Sequence, residues 1–97
     1  MWAMGYTDPF DPNGPTDVIL TKDDTFRHAF GELVEFVDFE LNRAKKDDWW
    51  NFDHFAQIDW ELGQFIANGN LQTSDVNQVD TWFTDDIGEI HYFVIKL

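Results

Sequence analysis

Cysteine is absent from the 97 residues, which removes disulfides, thiolate metal ligands and cysteine nucleophiles together. Basic residues are scarce: six Lys and Arg stand against nineteen Asp and Glu, for a net charge of −13. Between Lys46 and Lys96 there is no Lys or Arg at all, while acids recur at Asp47, Asp48, Asp53, Asp59, Glu61, Asp75, Asp80, Asp85, Asp86 and Glu89. That balance disfavours direct contact with nucleic acid or an anionic membrane, because phosphate contacts are made by Lys and Arg. Long apolar runs are also missing, and none approaches the roughly 20 residues needed to span a bilayer. The start, MWAMGYTDPF, has neither a basic region nor a sustained apolar stretch, so no secretory signal is expected.

Catalytic equipment is equally thin. Ser74 is the only serine, and its context reads as a helix cap rather than a nucleophile elbow. No glycine-rich phosphate cradle occurs. Pairs of carboxylates are inevitable among nineteen acids and carry little information about acid–base chemistry. His28, His54 and His91 are far apart and read as packing or surface residues rather than ligands. The stretch from Asp8 to Gly14 has acid, amide and glycine near calcium-loop spacing. Aligning Gly14 with the loop glycine, however, places Pro9 at the first ligand and Leu20 where a bidentate Glu is required. No enzyme activity, metal or cofactor is expected.

What is present is a well-supplied core. The hydrophobic fraction is 43%, with ten Phe and five Trp, so the chain can offset its ordering entropy, unlike an acidic disordered tail. A chain of this length makes one domain and can bury roughly two-thirds of its unfolded surface. Residues 1–16 hold all three prolines together with Gly5 and Gly14, and read as an irregular arm ahead of a single domain over 17–97. Asp17 to Thr21 suits a buried strand.

From Phe26 the apolar residues recur at helical spacing: Ala29, Phe30, Leu33, Val37, Leu41 and Ala44. They predict a helix near Asp24–Lys46, capped by Asp23 or Asp24, with Arg43, Lys45 and Lys46 at its C-terminal end. Glu40 falls inside that apolar stripe and is either buried with a partner or marks the stripe's end. A second helix is expected near Asp48–Asn68, closed by Gly69, with Phe52, Phe55, Ala56, Leu62 and Ile66 on one face. Trp49, Trp60 and Trp50 fall on another side among Asp53, Gln57 and Gln64. Ser74–Asp75 could open a short helical turn around Val76 to Val79. Thr81–Thr84 and Glu89–Leu97 then form an antiparallel hairpin across Asp85–Gly88. The expected fold is α+β: a short strand, two long amphipathic helices and a C-terminal hairpin packed as a small sheet.

The acids carry the functional expectation. On a helix, residues three or four apart are neighbours, so Glu32, Glu35 and Asp38 make a carboxylate ridge. Asp47, Asp48, Asp53 and Glu61 extend the negative charge to the second helix, and Asp80, Asp85, Asp86 and Glu89 to the hairpin. With Trp49, Trp50 and Trp60 as aromatic anchors, these residues are expected to meet a basic protein surface. In size, charge and aromatic content the chain is similar to the small acidic inhibitors made by phages and mobile elements, among them nucleic-acid mimics that block restriction enzymes or CRISPR complexes. No diagnostic motif accompanies that likeness, so no family residue carries over. It implies a non-enzymatic inhibitor that occludes a nucleic-acid-binding surface, working in the cytoplasm, that of the host if phage-encoded. Three other readings compete with it: an immunity or antitoxin protein against a basic nuclease, a small ligand-binding domain using the Trp-lined helix face, and a solvated acidic surface suited to a saline habitat.

Overall fold

The computed structural model describes residues 1–10, 12–14, 16–47, 49–69, 79–86 and 88–97, without the side chains of 47 and 49–51. The order of elements is β1 (Trp2–Asp8), β2 (Thr16–Asp23), α1 (Phe26–Asp47), α2 (Trp49–Ala67), β3 (Thr81–Thr84) and β4 (His91–Lys96). The strands form one antiparallel sheet in the order β2-β1-β4-β3, so the fold is α+β as the sequence predicts.

The first correction lies at the N-terminus. Residues 2–8, expected as irregular arm, are a central strand. Pro9 and Pro12 fall after its end, and only Gly5 interrupts the apolar segment. Gly5 there marks close approach rather than a turn. A Cβ at this position would collide with the carbonyl oxygen of Val18 and come within 2.8 Å of Phe93 Cζ. At the same point the β1–β2 register slips: Met4 faces Thr21 but Gly5 faces Ile19, leaving Leu20 as the extra residue of a bulge.

Side-chain alternation along the strands sends Trp2 and Met4 of β1, Phe83 of β3, and Tyr92 and Val94 of β4 into one core. The helices cover that face. The predicted α1 stripe is buried at Phe26, Ala29, Phe30, Leu33, Val37 and Ala44, with Leu41 partly so. Phe30 stacks on Phe65 of α2, ring centroids 5.0 Å apart. In α2 the core residues are Phe55, Ile58 and Leu62, with Phe65 packed against them, a three-and-four spacing along one face. Ile66, expected on that face, is exposed, and Ala56 lines a surface cleft instead. The cap of α1 is also one residue later than expected: Thr25 Oγ1 accepts from the His28 N–H at 3.1 Å, so Thr25 rather than Asp23 or Asp24 satisfies the first turn. Gly69 closes α2 with positive φ, its N–H donating to the Ile66 carbonyl at 2.9 Å. The turn expected around Val76 lies outside the described residues.

Candidate functional site

The β3–β4 connection begins with Asp85, whose side chain organises everything around it. Its Oδ1 accepts from the Gly88 N–H at 2.9 Å, and Gly88 takes the positive φ that this turn demands. Its Oδ2 accepts from His54 Nδ1 at 2.7 Å, which ties the turn to α2. The other ring nitrogen, His54 Nε2, meets the Tyr92 hydroxyl at 2.8 Å and ties α2 to the central part of the sheet. A carboxylate can only accept and a phenol can donate, so imidazole protonated on Nδ1 satisfies all three groups at once. Burial, and then the neighbouring Tyr6, Asp85 and Glu40, push the Tyr92 hydroxyl well above the ordinary tyrosine value, so it stays protonated. His54 and Asp85 side chains are only 16% and 13% exposed.

The polar atoms of this trio are matched to one another within the protein. Both nitrogens of His54 are engaged within the protein, and the hydroxyl at the end of the chain is a buried phenol held neutral. What the trio does is fix the hairpin turn against the helix.

Between those two elements lies an open cleft of about 720 Å3. Its walls are Asp53, His54, Ala56, Gln57 and Trp60 from α2, and Asp85 and Asp86 from the turn. Asp53, Ala56 or Gln57, and Trp60 follow one another at three-to-four spacing on one face of the helix. Ala56 carries only a methyl there and leaves the hollow. Trp60 is 56% exposed, although large aromatics in stable folds are usually covered. Three carboxylates line the cleft, and no Lys or Arg is among its described lining residues. Gln57 Nε2 donates to Glu61 Oε1 at 3.3 Å, which orients the amide at the cleft wall.

Of the residues expected from sequence to meet a partner, the fold thus brings together Asp53, Trp60, Asp85 and Asp86, with Glu61 adjoining through Gln57. Glu32 and Glu35 line a separate depression with Asp23, Arg27, His28 and Gly31, where charge is mixed, and Asp38 is exposed further along α1. Asp80 accepts from the Lys96 backbone N–H at 2.8 Å, at the end of β4 away from the turn, and Glu89 is exposed. Asp48 and the side chains of Asp47, Trp49 and Trp50 lie outside what the structure describes. His54, Ala56, Gln57 and Tyr92 belong to the site or its support. From sequence His54 reads as a packing or surface residue, Ala56 as a core residue and Gln57 as part of the aromatic side of α2, and Tyr92 is marked only as part of a strand. Asp85 is 31 residues from His54, and Tyr92 is 38, so no local spacing signals the trio. Among the described residues no three His, Asp or Glu converge in a way that could hold a metal ion, and no helix is long and apolar enough to cross a membrane.

No family model matches the chain, and neither a curated protein nor a solved structure matches it.

Proposed function

We propose that this protein is a non-enzymatic acidic inhibitor that binds and occludes a basic, nucleic-acid-binding surface of another protein, in the manner of phage-made mimics directed at restriction enzymes or CRISPR complexes. The observation that supports it best is the cleft, where an exposed indole sits among carboxylates delivered by two different elements, with no Lys or Arg among its described lining residues. Trp at an interface centre supplies affinity, while acids around it steer a cationic partner and raise the association rate. A chain carrying −13 pays for that concentration of charge in self-repulsion. The rigid tie of the turn to α2 through His54 holds the carboxylates of Asp85 and Asp86 beside α2 before any partner arrives, which lowers the cost of ordering on binding.

The test is competition. Labelled duplex is first bound to basic targets: a restriction enzyme, a CRISPR surveillance complex and a toxin nuclease. The protein is then titrated in at low and at physiological salt. Release of the duplex from at least one target, weakening steeply as salt rises, is the expected result. Retention of this protein on the duplex itself, or failure to release it from every basic target at both salt concentrations, would count against the proposal.

A further inference from the structure

We infer that the cleft between α2 and the hairpin turn is a socket for a single arginine side chain of the partner. The inference rests on the proposed function for the partner's basic character, and adds which chemical group enters and where. A guanidinium is planar and weakly hydrated, stacks on an indole, and forks onto carboxylate oxygens in a way an ammonium does not. The cleft offers each complement. Trp60 presents its half-exposed ring at one end of the α2 wall. Asp53 stands two turns away, about 10 Å along the helix, and Asp86 lines the cleft from the turn. No described residue pairs with the carboxylate of Asp53 or Asp86. Asp85 is different: both its oxygens accept bonds from His54 and Gly88, so it contributes fixed negative charge rather than a swinging ligand. Gln57, with its amide nitrogen turned to Glu61, keeps a carbonyl oxygen as a further acceptor. A hollow of about 720 Å3 takes the side chain together with the stretch of peptide that carries it.

Ala56 is what makes this a socket rather than a charged patch. It sits between Asp53 and Trp60 on the same wall, and filling it changes shape without changing charge. The experiment uses the full chain, isotopically labelled, with the Trp60 indole N–H resonance assigned from Trp60→Phe. Capped single residues of arginine, lysine and citrulline are titrated in turn. Arginine is expected to shift the Trp60 indole saturably and at roughly threefold or more lower concentration than lysine, with citrulline inert. Ala56→Leu should weaken the arginine response about tenfold while circular dichroism stays unchanged, and Asp53→Asn with Asp86→Asn should weaken it comparably. Equal responses to arginine and lysine, or an undiminished response in Ala56→Leu, would overturn the socket. The two ideas fail separately. An Ala56→Leu protein that no longer binds arginine yet still displaces duplex at the wild-type concentration removes the socket and keeps the inhibitor. Intact arginine binding without displacement from any basic target does the reverse.

Discussion

Two hollows share His54 as a common wall, and they treat charge in opposite ways. On one side is the cleft with Asp53, Trp60, Asp85 and Asp86, whose negative charge has no cation beside it among the lining residues. On the other is a groove of about 340 Å3 lined by Tyr6, Phe36, Phe55, Ile90 and Tyr92, with Glu40 and Arg43. Its aromatics lean on one another, Tyr6 and Phe36 stacked with centroids 6.4 Å apart and Tyr92 within 6.3 Å of both. There the single carboxylate, Glu40, is 15% exposed and bound to Arg43 at 2.8 Å. A half-buried acid against aromatic rings is costly unless paired, and α1 supplies the pair from its own next turn. In the cleft, Asp53 and Asp86 are exposed, so water solvates their charge without a Lys or Arg among the described lining residues. Asp85, 13% exposed, is met by His54 and the Gly88 N–H instead. The comparison teaches that the negative charge is not uniform wet surface: where the fold needs neutrality it provides it, and where it does not, an indole is left uncovered.

The largest effect should come from removing the scaffold that both hollows use. Gly5→Val places a side chain against the Val18 carbonyl and the Phe93 ring, at the bulge where β1, β2 and β4 meet. Overpacking against backbone of this kind is expected to cost about 3 kcal/mol or more, read as a lower midpoint in urea unfolding. Both hollows should be lost together as the sheet loosens.

Next in size is the wall itself. His54→Ala strands the buried Tyr92 hydroxyl and releases the turn from α2, with an expected cost of about 2 kcal/mol. Adding Tyr92→Phe should recover part of that loss, because the stranded hydroxyl is then gone; full additivity of the two changes would show that they are not coupled.

The same tyrosine predicts a response to alkali. Its folded-state value is raised above the ordinary value of about 10, so the unfolded chain gives up that proton first. Stability from this group is intact below about pH 10 and falls as pH rises beyond it, by up to about 1.4 kcal/mol per pH unit. Tyr92→Phe should flatten this segment of the stability–pH curve, as followed by unfolding at fixed urea.

Smallest in stability is Arg43→Ala. Arg43 is 60% exposed, so the direct loss should stay under about 1 kcal/mol. It sharpens the contrast all the same, because Glu40 would then lie uncompensated in an aromatic groove. Capped arginine should acquire a second, weaker site there, visible as shifts around Phe36 and Ile90 that are absent in the parent protein.

How much of this was legible in the sequence depended on range. The apolar stripe of α1 and the β-branched, aromatic run of β4 declare themselves locally, through periods of 3.6 and 2. The acids and Trp60 on α2 were readable as one side of that helix, while the exposure of Trp60 was not. Glu40, a misfit in its stripe, proved to be the paired acid of the groove. β1 was hidden because Gly5 and the prolines beyond it carry turn chemistry, while its reason for holding glycine is a carbonyl of β2 and a ring of β4 that sequence cannot place beside it. Ile58 is in the core, whereas Ile66, expected on the core face, stands about 80° round the helix from it, beside rather than under the packed Phe65, and is exposed. The closing of the cleft could not be read from spacing, since it brings Asp85 and Asp86 of the turn against the α2 wall, where His54 lies 31 residues before Asp85 in the chain.

The bulge at Leu20 has one more consequence. β2 is an outer strand of the sheet and shows Ile19 and Leu20 to solvent, the kind of apolar border along which chains can zip into fibrils. A growing filament needs an unbroken, evenly spaced row of backbone donors and acceptors from each new molecule. The extra residue interrupts that row in its middle, and Asp17, Lys22 and Asp23 crowd its two halves with charge. The irregularity beside Gly5 therefore also spoils the template for self-stacking, so crowded copies of this protein should stay dispersed where a smooth border of the same composition would polymerise.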